Sequence, residues 1–379
     1  MNIPFHKPWY DEKDEQALVA ALRSGRLVGD GENTERASER LTKILGVKTA
    51  LLTTSCSHAL ELAMMVLQLK PGDEVVVPSF TFVSSTNCIL RQGATPVFAD
   101  IIPSTLTLDV EDTRRRITSR TKAVLPVIYA GVAPEMDELM SLAHTHKIDL
   151  VEDAAQALGA YYKGRPLGTV GDIGCFSFHE TKNFSTGEGG AFVTDNEEYA
   201  ERAEIIREKG TNRKQFMLHL VDKYTWVDVG SSFLPPDLIG SLLCSQLDKM
   251  AEVQSKREAI HNRYIEGLKT LADSGRLTLP TIPGHSRSNY HIFYVLMKDE
   301  QTRNASITFF KERHIGTTFH YLPLHLSPFG QNLGKYKPGD FPVTESVSRR
   351  LLRLPIYPAL TEHEQSYIVE TMYAFFKQH

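Results

Sequence analysis

Ile173-Gly174-Cys175-Phe176-Ser177-Phe178-His179-Glu180-Thr181-Lys182-Asn183 is followed closely by the turn Gly187-Glu188-Gly189-Gly190. The apolar run at 173–178 suits a buried strand, and it ends in polar residues. A lone lysine then stands between a hydroxyl cluster and a glycine-rich turn. Lysines after strands are usually solvated. Taken alone, Lys182 reads equally well as a surface residue or as an amine aimed at a reacting centre.

Elsewhere in the chain, further β-rich runs at 50–52, 74–77, 95–99, 123–128 and 148–151 read as strands. Helical spacing lies between and around them, over 14–24, 35–45, 58–69, 81–92 and 136–146. Strands alternating with helices imply an α/β fold with a mostly parallel central sheet covered on both faces. Ligands in such sheets bind beyond the carboxyl ends of the strands. The polar clusters at 53–57, 78–82, 152–156 and 177–182 all fall at such ends. The pattern changes after about residue 240. One long helix is predicted over 242–271, then a strand over 290–297, a helix over 305–314, a strand over 317–319 and a final helix over 362–376. The expected organisation is a large α/β domain over 1–245 and a smaller C-terminal α+β domain over 246–379.

Composition narrows the class. The 379 residues are 41% hydrophobic and 23% charged, as in ordinary globular proteins, and the length allows a sizeable core. A formal net charge of −4 offers no basic field for nucleic acid. Cys56, Cys88, Cys175 and Cys244 form no CxxC pair, which argues against structural zinc or a disulfide framework and fits a reducing cytosol. No signal-peptide h-region or membrane-length apolar run is evident, so a cytoplasmic protein without membrane association is expected.

The strand-end clusters suit one chemistry together. A pyridoxal phosphate (PLP) site needs an amine for the aldehyde, a carboxylate to keep the pyridine nitrogen protonated, donors for a phosphate and a flat surface against the ring. Lys182 would be the amine. Asp153 would be the carboxylate, although small residues after it also allow a plain helix N-cap. Thr54-Ser55-Cys56-Ser57-His58 opens a helix, where free N–H groups bind phosphate readily, and again an ordinary cap is the alternative. Ser177 could donate to the same phosphate. His144-Thr145-His146 has no third ligand near it and reads as a solvated helix end, so no metal is expected. Gly187-Glu188-Gly189-Gly190 lacks the Lys-Ser/Thr of a Walker A loop.

The segments Thr54-Ser55-Cys56-Ser57, Pro78-Ser79-Phe80-Thr81-Phe82-Val83, Val151-Glu152-Asp153-Ala154-Ala155-Gln156 and Phe176 to Asn183 resemble the DegT/DnrJ/EryC1/StrS sugar aminotransferase family, nearly end to end. The resemblance implies the type I PLP-dependent aminotransferase fold. It also implies a homodimer with a shared active site, a dTDP-sugar substrate and L-glutamate as amino donor. By motif, Lys182 becomes the Schiff-base lysine and Asp153 the pyridine partner. Gln156 would contact the ring hydroxyl and Phe82 would stack on the ring. Ser57, the backbone of His58 and Ser177 would hold the phosphate. The family's partner-donated asparagine is Ser232 here, in Gly230-Ser231-Ser232-Phe233. Arg213 is a candidate for the nucleotide diphosphate or the donor carboxylate, and His320 and Tyr321 for the sugar side, with interdomain packing as their alternative. Family members that dehydrate sugars carry histidine in place of the lysine, which Lys182 argues against. A non-catalytic protein on the same fold would need neither Lys182 nor Asp153. A nicotinamide enzyme would need a glycine fingerprint that is missing.

Overall fold

The computed structural model describes residues 1–378. Seven strands build the central sheet: β1 (Thr49–Thr53), β2 (Glu74–Pro78), β3 (Thr95–Ala99), β4 (Thr121–Val124), β5 (Asp149–Asp153), β6 (Ile173–Ser177) and β7 (Gly190–Thr194). Their order across the sheet is β1-β7-β6-β5-β4-β2-β3. The pairs from β3 to β6 are parallel, and only β7 runs against its neighbours. Alternate side chains feed two cores. Leu52, Val76, Leu150 and Phe176 pack on one face, while Leu51, Val77, Val151 and Cys175 pack on the other. The fold is therefore the mixed α/β fold with a mainly parallel sheet expected from the alternating pattern.

Several predicted elements are shorter or divided. The strand expected over 123–128 stops at Val124, where Leu125 makes one more ladder bond and Pro126 has no N–H to continue it. The single helix expected over 242–271 is two, Asp237–Asp248 and Met250–Asp273. At the break Lys249 leaves helical geometry (φ −98°, ψ 6°), and its buried ammonium pairs with Asp14 and with Asp11. Residues 317–319 form only an isolated bridge, Thr318 to Arg353. Strand β7 and the helix Glu197–Arg207 were not anticipated.

A separate core lies beyond the sheet. Strands β8 (Leu277–Thr278), β9 (Phe293–Met297) and β10 (Leu351–Leu354) form a small sheet packed against the Met250–Asp273, Glu300–Glu312 and Glu362–Gln378 helices. Several segments cross between the cores, Leu324 and Phe341 packing under the large sheet and Phe80 and Tyr129 meeting Tyr294 and Leu351. Val253 packs in the first core while Ile260 and Tyr264, on the same helix, pack in the small one. Ile3 also joins the small core, donating its N–H to His314 O at 2.9 Å and accepting from Gly316 N at 2.8 Å. Among the described residues, no helix is long and apolar enough to cross a membrane.

Candidate active site

The parallel pairs, with β1 brought into the same direction as β6 through antiparallel β7, place the carboxyl ends of β1, β2, β5 and β6 on one edge of the sheet. A cavity of about 310 Å³ opens there, lined by Lys182, Asp153, Gln156, Ser57, Ser177 and Phe82 from the large sheet and by His320 and Tyr321 from the other side. The four polar clusters thus converge on one space.

Asp153 ends the central strand β5 and is 5% exposed. It caps no helix, since only turns follow it, and Oδ1 merely accepts from Ala155 N at 3.2 Å. Its other oxygen accepts from Ser85 Oγ at 2.6 Å, and Ser85 in turn accepts from Thr81 Oγ1 at 2.7 Å. Burial raises the Asp153 carboxyl above its ordinary range, opposed by Ser85, the Ala155 N–H and the Lys182 charge. A carboxylate in that position gains from a cation placed against it. Its neighbour Glu152 points the other way and accepts N–H bonds from Gly168, Val170 and Gly171 at 2.6–2.7 Å, fixing the following loop.

Lys182 sits on the excursion between β6 and β7. The glycine turn closes that excursion. Glu180 N donates to Gly187 O and Phe178 N to Gly189 O, both at 2.8 Å. Among the described residues no hydrogen bond or ion pair holds the Lys182 ammonium, and burial lowers it from the ordinary lysine range. An amine with a depressed pKa and no partner is suited to nucleophilic and base chemistry.

The third corner is the start of the Cys56–Val66 helix. Ser55 is the N-cap, accepting from His58 N at 3.2 Å. Cys56 and Ser57 N–H are the first of that helix and have no intrahelical acceptor. Both residues line the cavity, where Ser57 Oγ meets Ser84 Oγ at 2.6 Å and Ser177 lies opposite. Gly190, opening β7, makes this approach possible, because a Cβ there would lie 2.4 Å from Ser55 C and 2.5 Å from Cys56 N. His58 does not line the cavity. Its N–H serves Ser55 and its ring bonds Thr54.

On the ring side, Gln156 Oε1 accepts from Ala130 N at 2.7 Å and Nε2 donates to Tyr321 OH at 3.2 Å. Phe82 is 57% exposed, with its ring centroid 6.4 Å from that of Tyr321. The Tyr129 hydroxyl lies 3.1 Å from His320 Nδ1. Two candidates stand apart. Arg213 pairs with Glu208 at 3.1 Å in a separate groove, and exposed Ser232 bridges to Glu208. Cavity residues that sequence reasoning passed over are Ser84, Thr81, Arg257, His291 and Arg353, together with Ser85 behind Asp153. Arg353 carries a signal in hindsight, as one cation inside the apolar run Leu351 to Leu354.

The donor set fits PLP. It combines a free amine, a buried carboxylate lacking a cation, and a hydroxyl-lined helix N-terminus for the phosphate. Residues 8–373 match the DegT/DnrJ/EryC1/StrS aminotransferase family. MJ1066 of Methanocaldococcus jannaschii, an uncharacterized protein, is 37% identical over 368 residues, covering 96% of this chain and 94% of the relative. SpsC of Bacillus subtilis, a spore coat polysaccharide biosynthesis protein, is 34% identical over 378 residues, covering 98% and 96%. Among solved structures, the PLP form of Spr1654 from Streptococcus pneumoniae, provisionally assigned as a sugar aminotransferase, superposes with a TM-score of 0.92. It is 29% identical and covers 100% of this chain and 99% of its own. The family and the PLP-bound neighbour imply PLP binding here.

Proposed function

The chain belongs to the DegT/DnrJ/EryC1/StrS aminotransferase family, and on that footing we propose that it converts dTDP-4-keto-6-deoxyglucose to dTDP-4-amino-4,6-dideoxygalactose with L-glutamate as amino donor. The placement of Lys182 and Asp153 in one cavity carries the transamination reading. The choice of sugar rests on sequence likeness to the transaminase of enterobacterial common antigen synthesis, in His179 to Asn183, Ile205 to Arg213 and Val221 to Ser232. This places the protein in cytoplasmic synthesis of a cell-surface polysaccharide.

PLP, when bound, supplies a ring that accepts the electrons left at the donor α-carbon. The protein does the rest. Asp153 would hold the pyridine nitrogen protonated, and the N–H groups of Cys56 and Ser57, with Ser57, Ser84 and Ser177, would hold the phosphate. Phe82 would cover the ring and Gln156 would meet its hydroxyl. Lys182 would hold the aldehyde, take the proton from the donor α-carbon, and later deliver one to sugar C4. The face it occupies sets the C4 configuration. His320 and Tyr321 would flank the sugar.

We place a cofactor-binding unit over 1–245 and a closing unit over 246–379, supported by the separate cores. We also place Ser232 and Arg213 at the partner's cavity in a homodimer, Arg213 toward the nucleotide diphosphate. The exposed side chains of Met217, Leu220, Trp226 and Val229 on the same segment support that pairing. Borohydride should fix the cofactor to Lys182. Incubation with glutamate and dTDP-4-keto-6-deoxyglucose should give the galacto product by NMR. A gluco or 3-amino product would reassign the substrate, and a protein that stays colourless with added PLP would overturn the enzyme reading.

A further inference from the structure

The Lys182 cavity has more positive charge than its own carboxylates balance. Arg353 reaches it from β10, and Arg257 from the Met250–Asp273 helix. Among the described residues, neither guanidinium pairs with an acid within 4.0 Å, whereas Arg40, Arg120 and Arg207 all do. Arg257 is 2% exposed and held from behind, Nε donating to Tyr290 O at 3.0 Å and Nη2 to His291 O at 2.7 Å. Arg353 is freer. Its Nε is buried without a partner, and its guanidinium lies 4.7 Å from the centroid of the Phe5 ring. Burial lowers both groups, Arg257 to about 9, yet both remain charged at neutral pH. The carboxylates that line the cavity are engaged or remote. Asp153 is bonded to Ser85, and Glu188 is exposed beside His179 at 3.7 Å. A buried, unpaired guanidinium is costly unless a ligand completes it.

We propose that Arg353 anchors a carboxylate of the amino-acid donor, with Arg257 held behind it as a fixed positive wall. The inference rests on the amino-transfer reading. The donor's α-carboxylate is one bond from the carbon whose proton Lys182 takes, so its anchor must line the same cavity. The cofactor phosphate has its own cradle at the Cys56–Val66 helix. The nucleotide diphosphate is attached at sugar C1, across the ring from C4, and so calls for a different anchor. A planar guanidinium fork that pairs with no acid of its own matches a carboxylate in bidentate fashion.

The test uses PLP-loaded wild type, Arg353→Gln and Arg353→Lys. Three constants are measured: the glutamate KM from the cofactor absorbance change, the glutarate Kd by calorimetry, and the KM for dTDP-4-keto-6-deoxyglucose. Arg353→Gln should raise the glutamate KM and glutarate Kd on the order of 30-fold or more, well beyond any change in the sugar-nucleotide KM. Arg353→Lys, which keeps charge but loses the fork, should fall between. Unchanged donor constants with normal cofactor absorbance overturn the anchor, as does a shift confined to the sugar nucleotide. If wild type takes up no PLP, the functional reading fails. Equal glutarate constants in wild type and Arg353→Gln then also overturn the anchor.

Discussion

The Ser85 hydroxyl donates a hydrogen bond to Asp153 Oδ2 at 2.6 Å and accepts one from Thr81 Oγ1 at 2.7 Å. The strand-end carboxylate is therefore steered by a helix that the sequence did not connect to it. Removing the donor leaves a buried acceptor unsatisfied, which costs about 1–3 kcal/mol. Ser85→Ala should weaken PLP binding by roughly tenfold in a titration of the apoprotein, and Thr81→Val by less. An unchanged PLP Kd in Ser85→Ala would remove this hydroxyl from the cofactor's support.

Lys182→Ala removes both the covalent anchor and the proton carrier. Borohydride should then leave no cofactor mass on the protein, and turnover should fall by at least about 10²–10⁴. A borohydride-stable adduct on another lysine would displace Lys182 from its role.

Gly190→Ala would press a methyl group into the backbone at Ser55 and Cys56, 2.4–2.5 Å away. Overpacking of this kind costs about 1–3 kcal/mol, and here it deforms the phosphate cradle. Both the thermal midpoint and the PLP affinity should drop. Gly284→Ala is the control, since among the described residues beyond its chain neighbours nothing lies within 4 Å of its added Cβ. Equal behaviour of the two variants would contradict the cradle.

His261 is 5% exposed, has Nδ1 buried without a partner among the described residues, and sits between Tyr290 and Phe293 with centroids 5.1 and 5.2 Å away. Burial pushes its pKa down to about 4. The unfolded chain therefore binds the proton first. Stability is intact above about pH 6.5 and falls as pH drops toward 4, by about 3 kcal/mol in all. Denaturant titrations across that range should show the slope, and His261→Phe should flatten it. An equal slope in the variant would assign the acid sensitivity elsewhere.

Trp226 is 75% exposed and Leu220 71%. If this segment joins two copies, Trp226→Asp should shift the protein toward monomer in sedimentation and lower activity, because Ser232 and Arg213 would no longer reach the partner's cavity. A monomeric wild type would refute the pairing.

The parallel sheet was legible because strand-length apolar runs alternated with helical spacing. Lys182 and Asp153 were legible as strand-end candidates because each follows such a run, and the structure brings both to one cavity. Strand β7 was not. Its residues Gly190 to Thr194 follow directly on a glycine turn, and its antiparallel direction is set by pairing with β1 and β6. The break at Lys249 was hidden because apolar spacing runs on through Leu247 and Met250, while its buried ion pairs involve Asp11 and Asp14 far upstream. Ser85 and Arg353 acquire meaning only through partners distant in sequence, Asp153 and Phe5.

The segment around Ile3 leaves the small core, places Phe5 against Arg353, and ends with His6 Nε2 donating to Glu180 O at 2.7 Å, two residues before Lys182. This segment is thus a thin strap from the small core to the loop that carries Lys182, added to the Met250–Asp273 helix and to the packing of Phe80 and Tyr129 against Tyr294 and Leu296. Through Phe5 and His6 the surroundings of Arg353 are tied to the peptide two residues before Lys182, so a change in this short strap should be felt at both side chains together.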